Sequence, residues 1–482
     1  MFKNLFAEII PKRADAKMYK SIGKLTLPTF LELFIIFSFT MVDMIMIGRL
    51  SATAMAGVGL SKQPFMLMIA VFNAVNVGTT TLVAWNMGAG NKKAAANIAK
   101  QAIMLNIILG LSITVIGFVF AGSIISFVGT HDDIIRYGTR FLQITVLSTM
   151  FHAVTMCVTA AFRACKQAVI PMAYNIGSGL LKVVLNFILI YGLFGFGGFG
   201  AYGAAWATVI ASIVSAVIAL SCVFLWKNSP IRIRINFRRT KESLFDIKTI
   251  RQMLTIGLPA AGEQFVIQTG LILFSRMINT LNEASIAAHT LVLNVNGLVF
   301  AVSQSFAVAT TTLVGQSVGA NDFAQAEKYA RLTRIATRVC ATFVALVCVL
   351  LGRYIATLYT NPAEEVTPYV IEAALTIFPF LALMQFMQST QMSTAGALRG
   401  AGDTMFPLYS TIFGIWVFRV GACALFVFQF GWGIRGAWLA FTLDQALRSI
   451  IVTMRFKSGK WKEMKAIREQ KTQKLKEKVG AV

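Results

Sequence analysis

A few polar side chains stand inside otherwise apolar sequence, and these are the residues equipped for chemistry. Asp43 sits within the apolar run Phe34–Ile47, where a carboxylate is costly and points to function. Lys182 and Asn186 lie one helical turn apart in a second apolar run. Glu32 precedes Asp43 by eleven residues; at about 100° per residue both fall on one helix face, about 16 Å apart. Glu263 follows Leu258-Pro259 as Glu32 follows Leu27-Pro28. Such groups suit the binding and release of a proton or small cation. They do not suit covalent catalysis: the chain lacks GxxxxGK[ST], HExxH and GxSxG, and its acids are too dispersed for a catalytic pair.

Each group has a functional and a bland reading. Asp43 reads as an ion- and proton-exchanging carboxylate whose protonation repacks its span, against a structural salt bridge. Lys182 reads as a partner that pairs with Asp43 and releases it on protonation, against a lysine that snorkels to the interface. Glu32 and Glu263 read either as coupling carboxylates or as fold elements bonded to backbone groups freed by the nearby proline. Asp444 and Arg448, four residues apart, read as an intrahelical pair, and Arg276 and Arg419 as interfacial. His289 and His152 belong to the residue type whose charge changes near neutral pH, though a lone histidine is more often structural. Asn73, Asn76, Gln304, Gln388 and His289 are candidates for lining a substrate cavity; bonding between helices is the alternative for the amides. The six cysteines lie mostly in apolar runs without metal spacing, so no metal site and no cofactor is expected.

The elements that must position these groups are membrane spans. Of the 482 residues, 56% are hydrophobic and only 13% charged, with a mean hydropathy of +0.69; soluble proteins carry about 25% charged residues. Twelve apolar segments can be drawn near the length that crosses a bilayer: 25–48, 58–85, 98–121, 139–161, 169–193, 203–226, 254–279, 286–315, 333–357, 369–396, 406–429 and 434–455. The net charge of +24 concentrates in 1–24, 227–251 and 455–478, beside apolar runs and without a nucleic-acid motif. Basic and charge-poor loops alternate, with acids at Asp132-Asp133 and Glu364-Glu365. Both termini are therefore expected in the cytoplasm. Segment 1–24 does not read as a cleaved secretory signal.

The chain also repeats itself. At an offset of 231, Leu27-Pro28 falls on Leu258-Pro259, Glu32 on Glu263, Thr79–Val83 on Thr310–Val314 and Gly88-Ala89 on Gly319-Ala320, with about a third of positions identical and no gap. Arg163 and Pro171 answer to Arg399 and Pro407 at an offset of 236. Asp43 falls on Phe274 and His289 on Val58, so the shared fold requires neither. Six spans per half give two repeats of equal orientation, related by an axis along the membrane normal. The expected layout is an N-terminal segment 1–24, a lobe 25–226, a linker 227–253, a lobe 254–455 and a basic tail 456–482.

Several stretches in order resemble the multidrug and toxic compound extrusion (MATE) transporters. They are Leu27-Pro28-Thr29, Val42–Gly48, Gly88–Asn91, Leu185–Gly192, Gly257–Gln264, Gly315–Ala320 and Leu398–Thr404. The resemblance implies an all-α membrane protein with twelve transmembrane helices in two pseudo-symmetric, V-shaped lobes. It implies an antiporter that exports cationic or aromatic drugs in exchange for H⁺ or Na⁺, a monomer in the bacterial inner membrane. Family members often use span-seven carboxylates for cations, which adds weight to Glu263. Archaeal-type members carry Asn and Asp where this chain has Lys182 and Asn186. That departure speaks against a two-acid Na⁺ site in the first lobe and favours H⁺. The 38 Phe and 21 Met suit promiscuous binding of flat cations. A lipid-linked saccharide flippase of the same superfamily is the alternative. A membrane enzyme or receptor-like scaffold fits the duplication and dispersed acids poorly.

Overall fold

Helix α1 (Ala16–Gly48) carries Pro28 in its interior, and α9 (Ile247–Ile278) carries Pro259 at the equivalent place. A proline inside a helix removes one backbone hydrogen bond and allows a bend. In this computed structural model, the packing divides the chain three residues after each proline. One unit is Leu31–Ala261, and the other is Met1–Phe30 with Gly262–Val482. The two division points, Leu31 and Gly262, are themselves one repeat apart. The lobes drawn by span number, 25–226 and 254–455, differ from these units in the first turns of spans one and seven. The structure describes residues 15–48, 50, 52–128, 132–192, 198–233, 245–359, 366–468 and 470. The acidic Glu364-Glu365, most of the N-terminal segment, the middle of the linker and the last residues of the tail lie outside them.

The first unit continues from α1 through α2 (Ala52–Gly88), α3 (Lys92–Val119), α4 (Ala121–Val128), α5 (Asp132–Val146), α6 (Thr149–Ala164), α7 (Val169–Tyr191) and α8 (Ala201–Phe224), and ends in the first half of α9. The second contains the rest of α9, then α10 (Glu283–Gly319), α11 (Phe323–Leu350), α12 (Gly352–Tyr359), α13 (Thr367–Gly400), α14 (Met405–Phe413) and α15 (Gly433–Lys457). Among the described residues nine helices are long and apolar enough to cross a membrane, or ten with the bent pair α5 and α6. The remaining two expected spans are also long helices, α9 and α15. They are more polar, with Glu263, Gln264 and Gln268 in one and Asp444, Gln445 and Arg448 in the other.

Two differences from the sequence reading have local causes. The fourth span is broken, bending by 48° between α5 and α6. At the break the Ser148 hydroxyl donates to the Thr145 carbonyl at 2.6 Å and the Thr149 hydroxyl to Val146 at 2.5 Å. Hydroxyls that take backbone carbonyls in this way bend helices. The eleventh span starts as α14 and continues as π-helical segments over Gly414–Ala422 and Leu425–Gln429.

The repeats reuse one connection. Asn91 accepts from the Ala94 amide to cap α3, and Asp322 accepts from Gln325 to cap α11. The residue before each cap is left-handed, Gly90 at φ 77° and Asn321 at φ 59°; these are residue types that tolerate that region. Helices also approach closely through small residues, as membrane packing favours. In the first unit a β-carbon on Gly257 would lie 1.6 Å from the Ala74 carbonyl oxygen. α8 buries Ala201, Ala204, Ala205, Ala207, Ala211, Ala216 and Ala219.

In the second unit the chain after α15 is docked. Trp461 is fully buried and stacks on Phe456 at 5.0 Å. Lys465 donates to the Gly319 carbonyl at 3.2 Å, at the C-terminal end of α10 where carbonyls lack helical partners. Arg468 donates to the Gly402 carbonyl at 2.7 Å.

Candidate functional site

The first unit brings three of the singled-out residues into one group. Lys182 and Asn186 occupy successive turns of α7, so both side chains leave the same helix face. They meet Asp43, which α1 contributes. Lys182 Nζ lies 2.5 Å from Asp43 Oδ2, and Asn186 Nδ2 donates to Oδ1 at 2.5 Å. Asp43 is 9% exposed and Asn186 fully buried. Asn186 Oδ1 has no hydrogen-bond partner in the structure. One Asp43 oxygen thus carries a charge-assisted bond and the other an amide donor.

Glu32 forms a separate group further along α1. It is bonded by side chains, not by backbone groups freed at Pro28. Proline removes a donor and leaves a carbonyl behind, and a carboxylate cannot bond that. Instead Arg163 Nη2 lies 2.7 Å from Glu32 Oε2, and Asn175 Nδ2 donates to Oε1 at 2.7 Å. The Thr159 and Tyr174 hydroxyls, 2.6 Å apart, adjoin Asn175.

The second unit builds the same group around Glu263. Arg399 Nη2 donates to Oε2 at 2.7 Å and the Thr411 hydroxyl to Oε1 at 3.3 Å. Arg399 is the repeat equivalent of Arg163, and Thr411 of Asn175, both at the offset of 236. A second guanidinium, Arg448, adds to this group: it lies 3.7 Å from Glu263 and donates to Thr411 at 2.7 Å.

Two expectations are corrected here. Asp444 does not pair with Arg448 along its helix; its Oδ2 accepts from Arg419, with Nε at 2.9 Å. Arg419 is therefore not interfacial but 2% exposed, lying over the Phe441 ring at 4.2 Å. One physical cause accounts for both. A π turn holds more residues than an α turn, and the segment Gly414–Ala422 carries Arg419 inward to α15. Arg448 is left to face Glu263.

The polar candidates for a cavity divide between the units. In the first, Asn73 is half-buried and Asn76 buried on α2, and neither side-chain atom of Asn76 finds a partner. In the second, Gln304 is half-buried and Gln388 buried, with its oxygen unpartnered. Beside Gln388 on α13, Gln385 donates to Asn296 at 2.5 Å. His289 is 4% exposed, edge-on to Phe274 at 5.6 Å and to Trp438 at 5.8 Å, with neither ring nitrogen bonded. Among the described residues no three His, Cys, Asp or Glu side chains form a metal-holding cluster.

Sequence reasoning missed the arginines that pair with Glu32 and Glu263. The signal was present. Arg163 and Arg399 repeat in the same order as the glutamates, at an offset of 236 where the glutamates have 231, and a buried charge that recurs in both halves needs a recurring partner.

Comparison with known proteins follows the same two halves. The family model MatE matches residues 28–188 and 259–425, starting at Pro28 and Pro259. The chain is 28% identical over 472 residues to the probable multidrug resistance protein NorM of Thermotoga maritima, covering 98% of this chain and 99% of that protein. It is 27% identical over 379 residues to the multidrug resistance protein PmpM of Pseudomonas aeruginosa, covering 78% and 77%. Among solved structures, an outward-facing multidrug resistance MATE family transporter of the MOP superfamily superposes with a TM-score of 0.82 at 22% identity, covering 91% of this chain and 96% of that one. A MATE in the bent conformation gives 0.80 at 22% identity, covering 94% and 97%.

Proposed function

The chain belongs to the MatE family, a transporter family and not one of enzymes, and from that premise we propose that it exports small organic molecules across the membrane by ion-coupled antiport. The substrates are drugs of cationic or aromatic character, and the coupling ion is H⁺ or Na⁺. The multidrug resistance names of its relatives support the substrate class. The protein works as a monomer of twelve spans in two six-helix lobes, in the bacterial inner membrane with both termini cytoplasmic. Alternating access carries substrate out.

One observation carries the coupling. Asp43 is a buried carboxylate in an apolar helix, held among the described residues by a lysine and an amide of one neighbouring helix. Protonation of that carboxylate would break its bond to Lys182 and free α1 from α7. Ion binding is thereby converted into helix movement. Asn186 orients the carboxylate, while Glu32 and Glu263, locked to arginines, are secondary candidates for coupling. Asn73, Asn76, Gln304, Gln388 and His289 are the candidate substrate contacts.

Efflux of a fluorescent organic cation from proteoliposomes tests this, under an imposed pH gradient and then an imposed Na⁺ gradient. Wild type is expected to move the dye under one of them, and Asp43→Asn to lose at least tenfold of that rate. Equal rates would make Asp43 structural. No cation movement under either gradient would favour lipid-linked saccharide flipping.

A further inference from the structure

The ammonium group of Lys182 stands against Asp43 Oδ2. We propose that Lys182 is a tethered cation that fixes ion specificity: while it is present the Asp43 site exchanges protons and rejects Na⁺ and Li⁺. The inference rests on the ion-coupled reading above and names its ion.

Three observations lead there. First, both Asp43 oxygens are engaged, Oδ2 by Lys182 and Oδ1 by Asn186, each at 2.5 Å. An alkali ion is a hard cation that needs several oxygen ligands around it, and here it would also sit against an ammonium, with like-charge repulsion in a poorly screened interior. A proton needs only one carboxylate oxygen. Second, Asn186 Oδ1 is buried and unpartnered. Removing the ammonium would free Asp43 Oδ2, and Asn186 already carries an unpartnered oxygen, so two residues in contact would each offer an oxygen to a metal ion. Of these oxygens, the lysine occupies Asp43 Oδ2.

Third, the other repeat offers no equivalent. Phe274 replaces the acid, and the nearest analogue of the pair, Arg419 with Asp444, has side chains 2% and 0% exposed. Those of Lys182 and Asp43 are 25% and 12% exposed, so this pair is less enclosed. The charged groups around the site are Asp43 on α1 and Lys182 on α7, and His152 on α6 lies within electrostatic reach of Lys182.

The test is ²²Na⁺ binding to the purified full-length protein at pH 8, read for wild type, Lys182→Asn, Lys182→Gln and the double variant Lys182→Asn/Asp43→Asn. Wild type is expected to show no saturable binding. At least one single variant should gain saturable Na⁺ binding at least tenfold above the wild-type background, and the double variant should lose that binding. Saturable, Asp43-dependent binding by wild type overturns the proposal, as do two folded single variants that gain none. A wild-type measurement guards against misfolded variants: efflux driven by a pH gradient is expected to be unchanged between zero and 100 mM Na⁺ on both sides, and a Na⁺-dependent rate counts against the proposal. Binding is read without transport, so absent efflux under any gradient would sink the antiport reading while leaving the binding result to stand or fall alone.

Discussion

Arg399 donates to Glu263 across 2.7 Å, the distance at which Arg163 meets Glu32 in the other repeat. The duplication has therefore kept a buried ion pair together with its third member, Asn175 in one copy and Thr411 in the other. The copies differ in one respect. Glu263 also faces Arg448, and among the described residues Arg163 is the single arginine paired with Glu32.

That difference predicts unequal costs. Glu263→Gln leaves two guanidiniums without their carboxylate, and breaking a buried pair costs about 3–5 kcal/mol. Glu32→Gln strands one guanidinium and keeps an acceptor for Asn175. Thermal unfolding of the purified protein in detergent should show the larger fall for Glu263→Gln; equal falls would remove Arg448 from the account.

The Arg419–Asp444 pair is expected to be structural. Asp444→Asn should cost about 3–5 kcal/mol by stranding a buried guanidinium. The double change Arg419→Met with Asp444→Leu should recover most of it, because replacing both charges removes the desolvation penalty. A double-mutant cycle on melting temperature measures this. Additive losses would mean the two residues act separately.

Gly257 and Gly23 give opposite expectations for the same substitution. An alanine β-carbon at Gly257 would strike the Ala74 carbonyl, while at Gly23 nothing lies within 4 Å. Gly257→Ala should therefore yield little folded protein on size-exclusion chromatography. Gly23→Ala should be neutral or stabilising by up to about 1 kcal/mol, from helix propensity alone.

The docked segment after α15 should contribute to the stability of the second unit. Trp461→Ala removes a fully buried ring and is expected to cost about 3–5 kcal/mol. Limited proteolysis should then cut between 458 and 468, where the wild-type segment is held by Lys465 and Arg468. Unchanged protection would show that the ring does not hold the segment.

Much of this protein was written in its sequence. Apolar runs of bilayer length require helices, because lipid offers no partner to a free backbone group. The repeat offset paired Pro28 with Pro259 and Glu32 with Glu263 before any coordinates, and Asp43 stood out as a charge among apolar residues.

What the sequence did not determine was which charge meets which. Spacing along one helix favoured Asp444 with Arg448, but tertiary packing gave Asp444 to Arg419 and sent Arg448 to Glu263. Helical spacing constrains only residues on one helix face. Contacts between helices depend on crossing angle and on local winding, and a π turn shifts every later side chain by a fraction of a turn. The Lys182–Asp43 pair was legible as an option, because both are isolated charges in apolar runs. The short distances at which Lys182 and Asn186 occupy both Asp43 oxygens were set by the fold, which brings α7 to α1 across about 140 residues of chain.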